Sequence, residues 1–326
     1  MKRIYLLITF IVICFLASCG GEEIPTTSPT VVPTTNVPTV VPTTTPTPSK
    51  HAPVLSDDGK SVFYGYYPQS KVNDDNLIQT LNTLSPEANG WYYLNETYYV
   101  KQVANVYNNE LYTFDDGSKV VNGTTYWFEC ESIEWIILNK SGNTYTLMSK
   151  LLLDNQNFYN DYSSRTIDGK EVYANNYEYS DIRTWLNGYF LNTAFALDNS
   201  YLLSTTLDNS ANQTDSADNK YACENTQDKV FLPSYQDVLN SEYGFDSTNG
   251  VSVTRQAKTS DYVRAIGSWS NNRDSGLIQN GTYWTRSATS EYFYCAWNVN
   301  SSGNLSTYAV DGESHSVRPC ITINME

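Results

Sequence analysis

Histidine is almost missing from this chain: His51 and His315 are the only two. His51 ends a Pro/Thr tract, so a folded domain would hold one. That excludes a multi-histidine zinc or non-haem iron site. A Ser-His-Asp or Cys-His arrangement would have to be built on His315 alone. His315 stands just before Ser316-Val317-Arg318-Pro319 and reads as an ordinary strand-edge residue. Positive charge is scarce as well, with 20 Lys and Arg against 35 Asp and Glu and a net charge of -15. No basic patch can neutralise phosphates, so nucleic acid is excluded as a partner. No stretch reads as a cofactor-binding motif, and no cofactor is expected.

Long apolar runs are limited to the N-terminus. Lys2 and Arg3 precede an apolar run from Ile4 to Phe15. That is short of the ~20 residues that span a bilayer and reads as a signal peptide. Leu16-Ala17-Ser18-Cys19-Gly20 resembles the lipobox of bacterial lipoproteins. The resemblance implies a signal peptide over 1–18, cleavage before Cys19 and a lipid on its sulfur. The protein would then be exported and anchored to the membrane of the cell envelope. Pro, Thr and Val repeat from about Ile24 to Lys50, where no core can form. Residues 19–52 therefore read as a lipidated Cys and an extended stalk, and 53–326 as a single domain.

What the domain has in abundance is aromatic surface: 27 Tyr and 7 Trp in the chain. Its β-formers come in short runs separated by turn residues. Ser61 to Gln69 reads as a strand, Trp91 to Val103 as a hairpin around Asn95-Glu96, and Tyr126 to Ser149 as a strand pair turning at Ser141-Gly142-Asn143. Asp74 to Leu84 and Ser180 to Phe195 carry helical periodicity. Asp198 to Asp228 is polar and acidic. Its Asp208, Asp215, Asp218 and Asp228 match no calcium-loop spacing, so a solvated loop without metal is the better reading.

Tyr283 to Ile323 reads as a closing antiparallel meander. Tyr292, Tyr294, Asn298, Asn300, Asn304, Ser306 and Tyr308 lie near its strand ends and turns. Tyr, Asn and Ser together are the composition of an adaptable binding surface, and these seven are the candidate ligand-binding residues. Glu129, Glu131 and Glu134 alternate along one predicted strand and are the candidate carboxylates for a hydrolase.

Several segments in series, Y-G-Y-Y-P-Q, I-E-W-I-I-L, D-I-R-T-W-L-N-G-Y-F-L-N-T-A-F, K-V-F-L-P-S-Y-Q-D-V, Y-W-T-R-S and V-R-P, resemble a domain-of-unknown-function family of bacterial exported proteins. More distantly, L-P-S-x-x-D followed by Y-W-T-R-S, N-V-N-x-x-G-N and V-R-P is similar to C-type-lectin-like and formylglycine-generating-enzyme-like domains. That resemblance implies an α+β fold: a twisted antiparallel sheet with short flanking helices and long loops, binding ligand through its last strands. The chain lacks the Pro-containing tripeptides of calcium lectins, and Trp297-Asn298 is followed by Val299. Its Cys295 and Cys320 are far apart, unlike the paired copper ligands of the oxidase members.

Four cysteines fall in the domain, Cys130, Cys223, Cys295 and Cys320, and allow three connectivities. Cys223–Cys295 with Cys130–Cys320 is favoured. The lectin-like resemblance implies the second bridge by laying the last strand beside the early ones. The function expected is a membrane-anchored module that binds an extracellular glycan or protein through its C-terminal strands. A structural envelope lipoprotein and a carboxylate-dependent hydrolase are the alternatives.

Overall fold

The computed structural model describes residues 50–326. The signal peptide, Cys19 and nearly all of the stalk lie outside the described residues. No helix among the described residues is long and apolar enough to cross a membrane.

The chain opens with β1 (Val54–Leu55) and β2 (Ser61–Lys71), then α1 (Asp75–Leu81). Asp74 caps α1 by accepting from the amides of Asn76 and Leu77, which satisfies two of the donors a helix start leaves open. A hairpin, β3 (Tyr92–Leu94) and β4 (Thr97–Val103), comes next. Its two-residue turn has positive φ at both Asn95 and Glu96, 50° and 65°, the backbone twist that a tight hairpin prefers. Beyond it are the long β5 (Thr125–Ser141) and β6 (Thr144–Ser149), then β7 (Asp154–Asn155) and the small hairpin β8 (Arg165–Ile167) and β9 (Lys170–Val172). The stretch predicted as the strongest helix is α2 (Asp181–Trp185), a π-helical turn at Leu186–Phe190, and α3 (Leu191–Ala194). β10 (Thr205–Leu207), β11 (Thr226–Asp228) and β12 (Val230–Phe231) precede α4 (Asp261–Ala265). The chain closes with β13 (Tyr283–Ala288), β14 (Cys295–Val299), β15 (Leu305–Ala309), β16 (Ser316–Val317) and β17 (Cys320–Asn324).

These strands make two principal sheets. The larger has eight strands in the order β1-β2-β5-β6-β17-β12, with β4 also pairing β5 and β3 pairing β4. The 17-residue β5 is its spine: the first half pairs with β4 and the second half with β6, while β2 runs beside both. The smaller sheet has five strands in the order β15-β14-β13-β16-β7. The core lies between them. Trp135 is fully buried and its indole donates to the Tyr64 carbonyl at 2.8 Å. Leu147, Ile321, Trp284 and Val299 belong to the same cluster.

The expected α+β, C-type-lectin-like architecture is not what forms. The molecule is mostly β, 34% strand against 14% helix, with a main sheet curled into a half-barrel. The physical reason is visible in the helices. α1 and α4 have seven residues or fewer, the one longer helical run is Asp181–Ala194, and the intervening Asn-, Asp- and Ser-rich stretches close as turns through their own side chains. One helical run of that length with two short pieces does not make a helical layer over the sheets. The meander is divided: β13 to β15 form a sheet with β16 and β7, and β17 alone returns beside β6.

The four domain cysteines are free thiols, so neither expected bridge forms. Strand register explains one of them. Cys320 lies opposite Met148, which lies opposite Ile136. Cys130 is on that same β5, displaced from Ile136 by ~20 Å of strand, far beyond the reach of a disulfide.

One irregularity sets which side chains β2 turns outward. Between Phe63 and Tyr66 the pairing of β2 with β5 slips by one residue. The bulge is at Gly65, whose φ is +71°. A Cβ there would sit 2.7 Å from the Phe195 ring and 2.9 Å from the Ala194 carbonyl, so the end of α3 packs on the bulge because the residue is glycine. Before the slip Val62 and Tyr64 face the core. After it Tyr67 and Gln69 do, and Tyr66 is left partly exposed.

Candidate functional site

The seven residues singled out on the C-terminal strands do not share one role. Tyr292 and Tyr308 are about half exposed, and Tyr294 packs on Tyr292 with ring centroids 5.6 Å apart. Tyr308 leans on His315 at 4.5 Å, and His315 stacks on Trp284 at 4.2 Å. His315 is buried, and burial lowers its pKa to about 3, so it stays neutral at physiological pH and serves as packing. Asn298 is 2% exposed, opposite Trp284 on one side and Ser306 on the other. Asn300 accepts from the amides of Ser302 and Asn304 and from the Ser302 hydroxyl. Its side chain shapes the turn. Asn304 and Ser306 are partly exposed. Asn298 and Asn300 are therefore committed inside the fold, and the three tyrosines remain at the surface with Asn304 and Ser306.

The acidic loop is also more committed than its composition suggests. Asp215 accepts from the Trp297 indole at 2.9 Å, the Ser290 amide at 3.1 Å and the Ser290 hydroxyl at 2.5 Å. Asp228 pairs with Arg183 at 2.8 Å. Among the described residues no group of three or more His, Cys, Asp or Glu is placed to hold a metal ion.

The better-formed concavity lies elsewhere, on the main sheet. β2 supplies Tyr66, the β3–β4 hairpin Tyr93 and Tyr98, and β5 Glu129 and Glu131. Leu197 comes from the segment after α3. Together they line a groove of about 310 Å³, with Lys50 and His51 at its border. A second lobe of about 230 Å³ shares Tyr66, Tyr98 and Leu197 and is walled by Trp91, Ala194 and Ala196. The residues meet through strand pairing: Tyr66 is opposite Ser132, and Tyr98 is opposite Cys130. The rings of the hairpin pack on one another. Tyr98 has Tyr93 at 4.8 Å and Trp91 at 5.8 Å, and Tyr66 meets His51 edge-on at 5.8 Å.

Charge in the groove is of one sign except at its rim, where Lys50 pairs with Glu96 at 3.3 Å. Burial raises the pKa of Glu129, and the neighbouring Glu131 charge raises it further. Burial likewise raises Tyr98, with Glu87 and Tyr93 adding to it. The third candidate carboxylate, Glu134, is not part of the site: it holds Lys150 at 2.8 Å and accepts from Ser61 at 3.0 Å. Another depression, of about 470 Å³, lies along the β8–β9 hairpin beside Glu178 and Glu224. It has one ring, Tyr179, and no comparable apolar wall.

Glu129 and Glu131 stand out in the sequence, but the groove does not. Its rings are 32 residues apart in the chain, from Tyr66 to Tyr98, and Tyr66 faces outward only because of the Gly65 bulge. The detectable signal was that glycine, since an isolated Gly within a strand marks a bulge.

A half-barrel sheet backed by a second small sheet, with an aromatic groove on it, is the architecture that defines this molecule. Residues 142–325 match the domain of unknown function DUF6273, and the chain belongs to that family. No curated protein and no solved structure matches the chain. Most of the groove is contributed by residues that precede the family match: Tyr66, Tyr93, Tyr98, Glu129 and Glu131 all lie before residue 142.

Proposed function

We propose that this protein is an exported, lipid-anchored binding protein that holds its ligand in the Tyr66–Tyr98 groove. The observation that carries the reading is one groove lined by the rings of Tyr66, Tyr93 and Tyr98 with two carboxylates beside them. Concave, mostly apolar sites with a few polar groups are where ligands bind, and rigid rings give contact area at low entropic cost. Binding without chemistry is favoured over glycoside hydrolysis because Glu129 and Glu131 stand two residues apart on one strand. Hydrolysis needs carboxyls on opposite sides of the scissile bond. Anchoring rests on Leu16-Ala17-Ser18-Cys19 after a short apolar run.

A second reading places the ligand, a glycan or a protein, on the C-terminal strands. It is favoured by the half-exposed Tyr292 and Tyr308. One experiment separates the two. The purified protein is screened on glycan, peptide and small-molecule arrays, and a hit is titrated against Tyr98→Ala and Tyr308→Ala. Loss of at least tenfold in affinity with Tyr98→Ala alone supports the groove. Loss with Tyr308→Ala alone moves the site to the C-terminal strands. Cys19→Ala should shift the protein from the membrane to the soluble fraction or leave it unprocessed. Normal processing with full membrane retention would exclude the lipid anchor.

A further inference from the structure

The groove combines three properties that narrow its ligand. The first is ring surface presented around one space, with Tyr93 and Tyr98 4.8 Å apart and Tyr66 on the opposite strand pair. The face of an aromatic ring is electron-rich and attracts cations, more strongly where water is excluded. The second is uncompensated negative charge. Neither Glu129 nor Glu131 is in an ion pair among the described residues, although both line the groove. A carboxylate withdrawn from water favours a counter-charge, and the raised Glu129 pKa has that same origin in burial and in its neighbour's charge. The third is the adjoining lobe of about 230 Å³, in which Trp91, Ala194, Ala196 and Leu197 supply apolar wall and Glu87, Asn89 and Thr193 polar groups.

From these, and resting on the groove as the binding site, we infer that the ligand carries an organic ammonium group. Its charged head sits among Tyr66, Tyr93, Tyr98, Glu129 and Glu131, and a short apolar arm lies in the lobe walled by Trp91 and Leu197. A hard metal ion fits less well. It demands several oxygen ligands in a shell, whereas no cluster of three metal-ligating side chains is present among the described residues. A neutral sugar would use the rings but leave the two carboxylates without a counter-charge. A chain of net charge -15 also draws cations to its surface, and a cleft focuses that field.

The test uses choline and butylammonium as cationic probes and 3,3-dimethyl-1-butanol as the neutral isostere of choline. Binding is followed by NMR shifts of the protein and by tyrosine and tryptophan fluorescence. Expected is saturable binding of an ammonium probe with shifts centred on Tyr66, Tyr98 and Glu129. The neutral isostere should bind at least tenfold more weakly. The double variant Glu129→Gln/Glu131→Gln should weaken the cation at least fivefold and leave the isostere unchanged, which also controls for folding. Equal binding of the isostere overturns the inference, as does calcium shifting the same resonances more strongly than either ammonium ion. If a neutral glycan shifts the groove resonances while the ammonium probes do not, the groove stands as the site and the cation reading falls. If ligands shift Tyr292 and Tyr308 and leave the groove silent, both fall.

Discussion

The Tyr67 hydroxyl donates to Asp154 Oδ2 at 2.5 Å, joining β2 of the half-barrel to β7 of the smaller sheet through a fully buried bond. Asp154 also accepts from Gln156 at 2.8 Å and from the Asn155 amide at 2.7 Å. Burial nevertheless dominates and raises its pKa from 3.8 to about 6. The folded protein therefore holds this proton more tightly than the unfolded chain does.

The consequence is a pH dependence of known sign. The stabilisation from protonated Asp154 is complete below pH 3.8 and is lost as pH rises through about 6. Asp154→Asn is neutral at every pH and lacks that dependence. Between pH 4 and pH 7 the stability of the wild type should fall relative to the variant by about 2 kcal/mol. Urea denaturation of both proteins across that range measures it. Parallel pH profiles would mean that Asp154 titrates as an ordinary carboxyl.

Arg255 is the buried tie of the region before the meander. It has no exposed surface, and its guanidinium donates to the carbonyls of Gly303 at 2.8 Å, Asp246 at 2.7 Å and Gly250 at 2.5 Å. The contact with Gly303 needs a glycine: its φ is +77°, and a Cβ would fall 1.8 Å from the Ser252 carbonyl oxygen. Lysine keeps the charge but not the planar fork. Arg255→Lys should lower stability by ~3 kcal/mol or more, because buried carbonyls lose charge-assisted bonds. A change below ~1 kcal/mol in chemical denaturation would show that water replaces the fork without loss.

The thiols give a chemical prediction. Burial pushes Cys130 and Cys320 well above the ordinary thiol range and Cys223 up to about 11, so each is protonated at neutral pH. A protonated thiol is a poor nucleophile. Alkylation of the native protein at pH 7.5 should be slow at these three sites. After denaturation without reductant, peptide mapping should find all four domain cysteines modified. A disulfide-linked peptide in that map would overturn the free-thiol arrangement.

Local chemistry, and therefore the sequence, determined the small pieces. Asn95-Glu96 set a hairpin because a two-residue turn needs positive φ. Asp74 and Ser180 capped helices because their oxygens reach the first free amides. The near-absence of histidine confined any histidine chemistry to His51 and His315. Tertiary structure decided the rest, because sheet partners are chosen by contacts distant in sequence. It placed β17 beside β6, separating Cys320 from Cys130, and it turned the candidate amides Asn298 and Asn300 to structural use. The groove shows the division most clearly. Glu129 and Glu131 could be read from their alternation, but Tyr66 joins them only through the slip at Gly65. A single extra residue in a strand reverses which side chains face out.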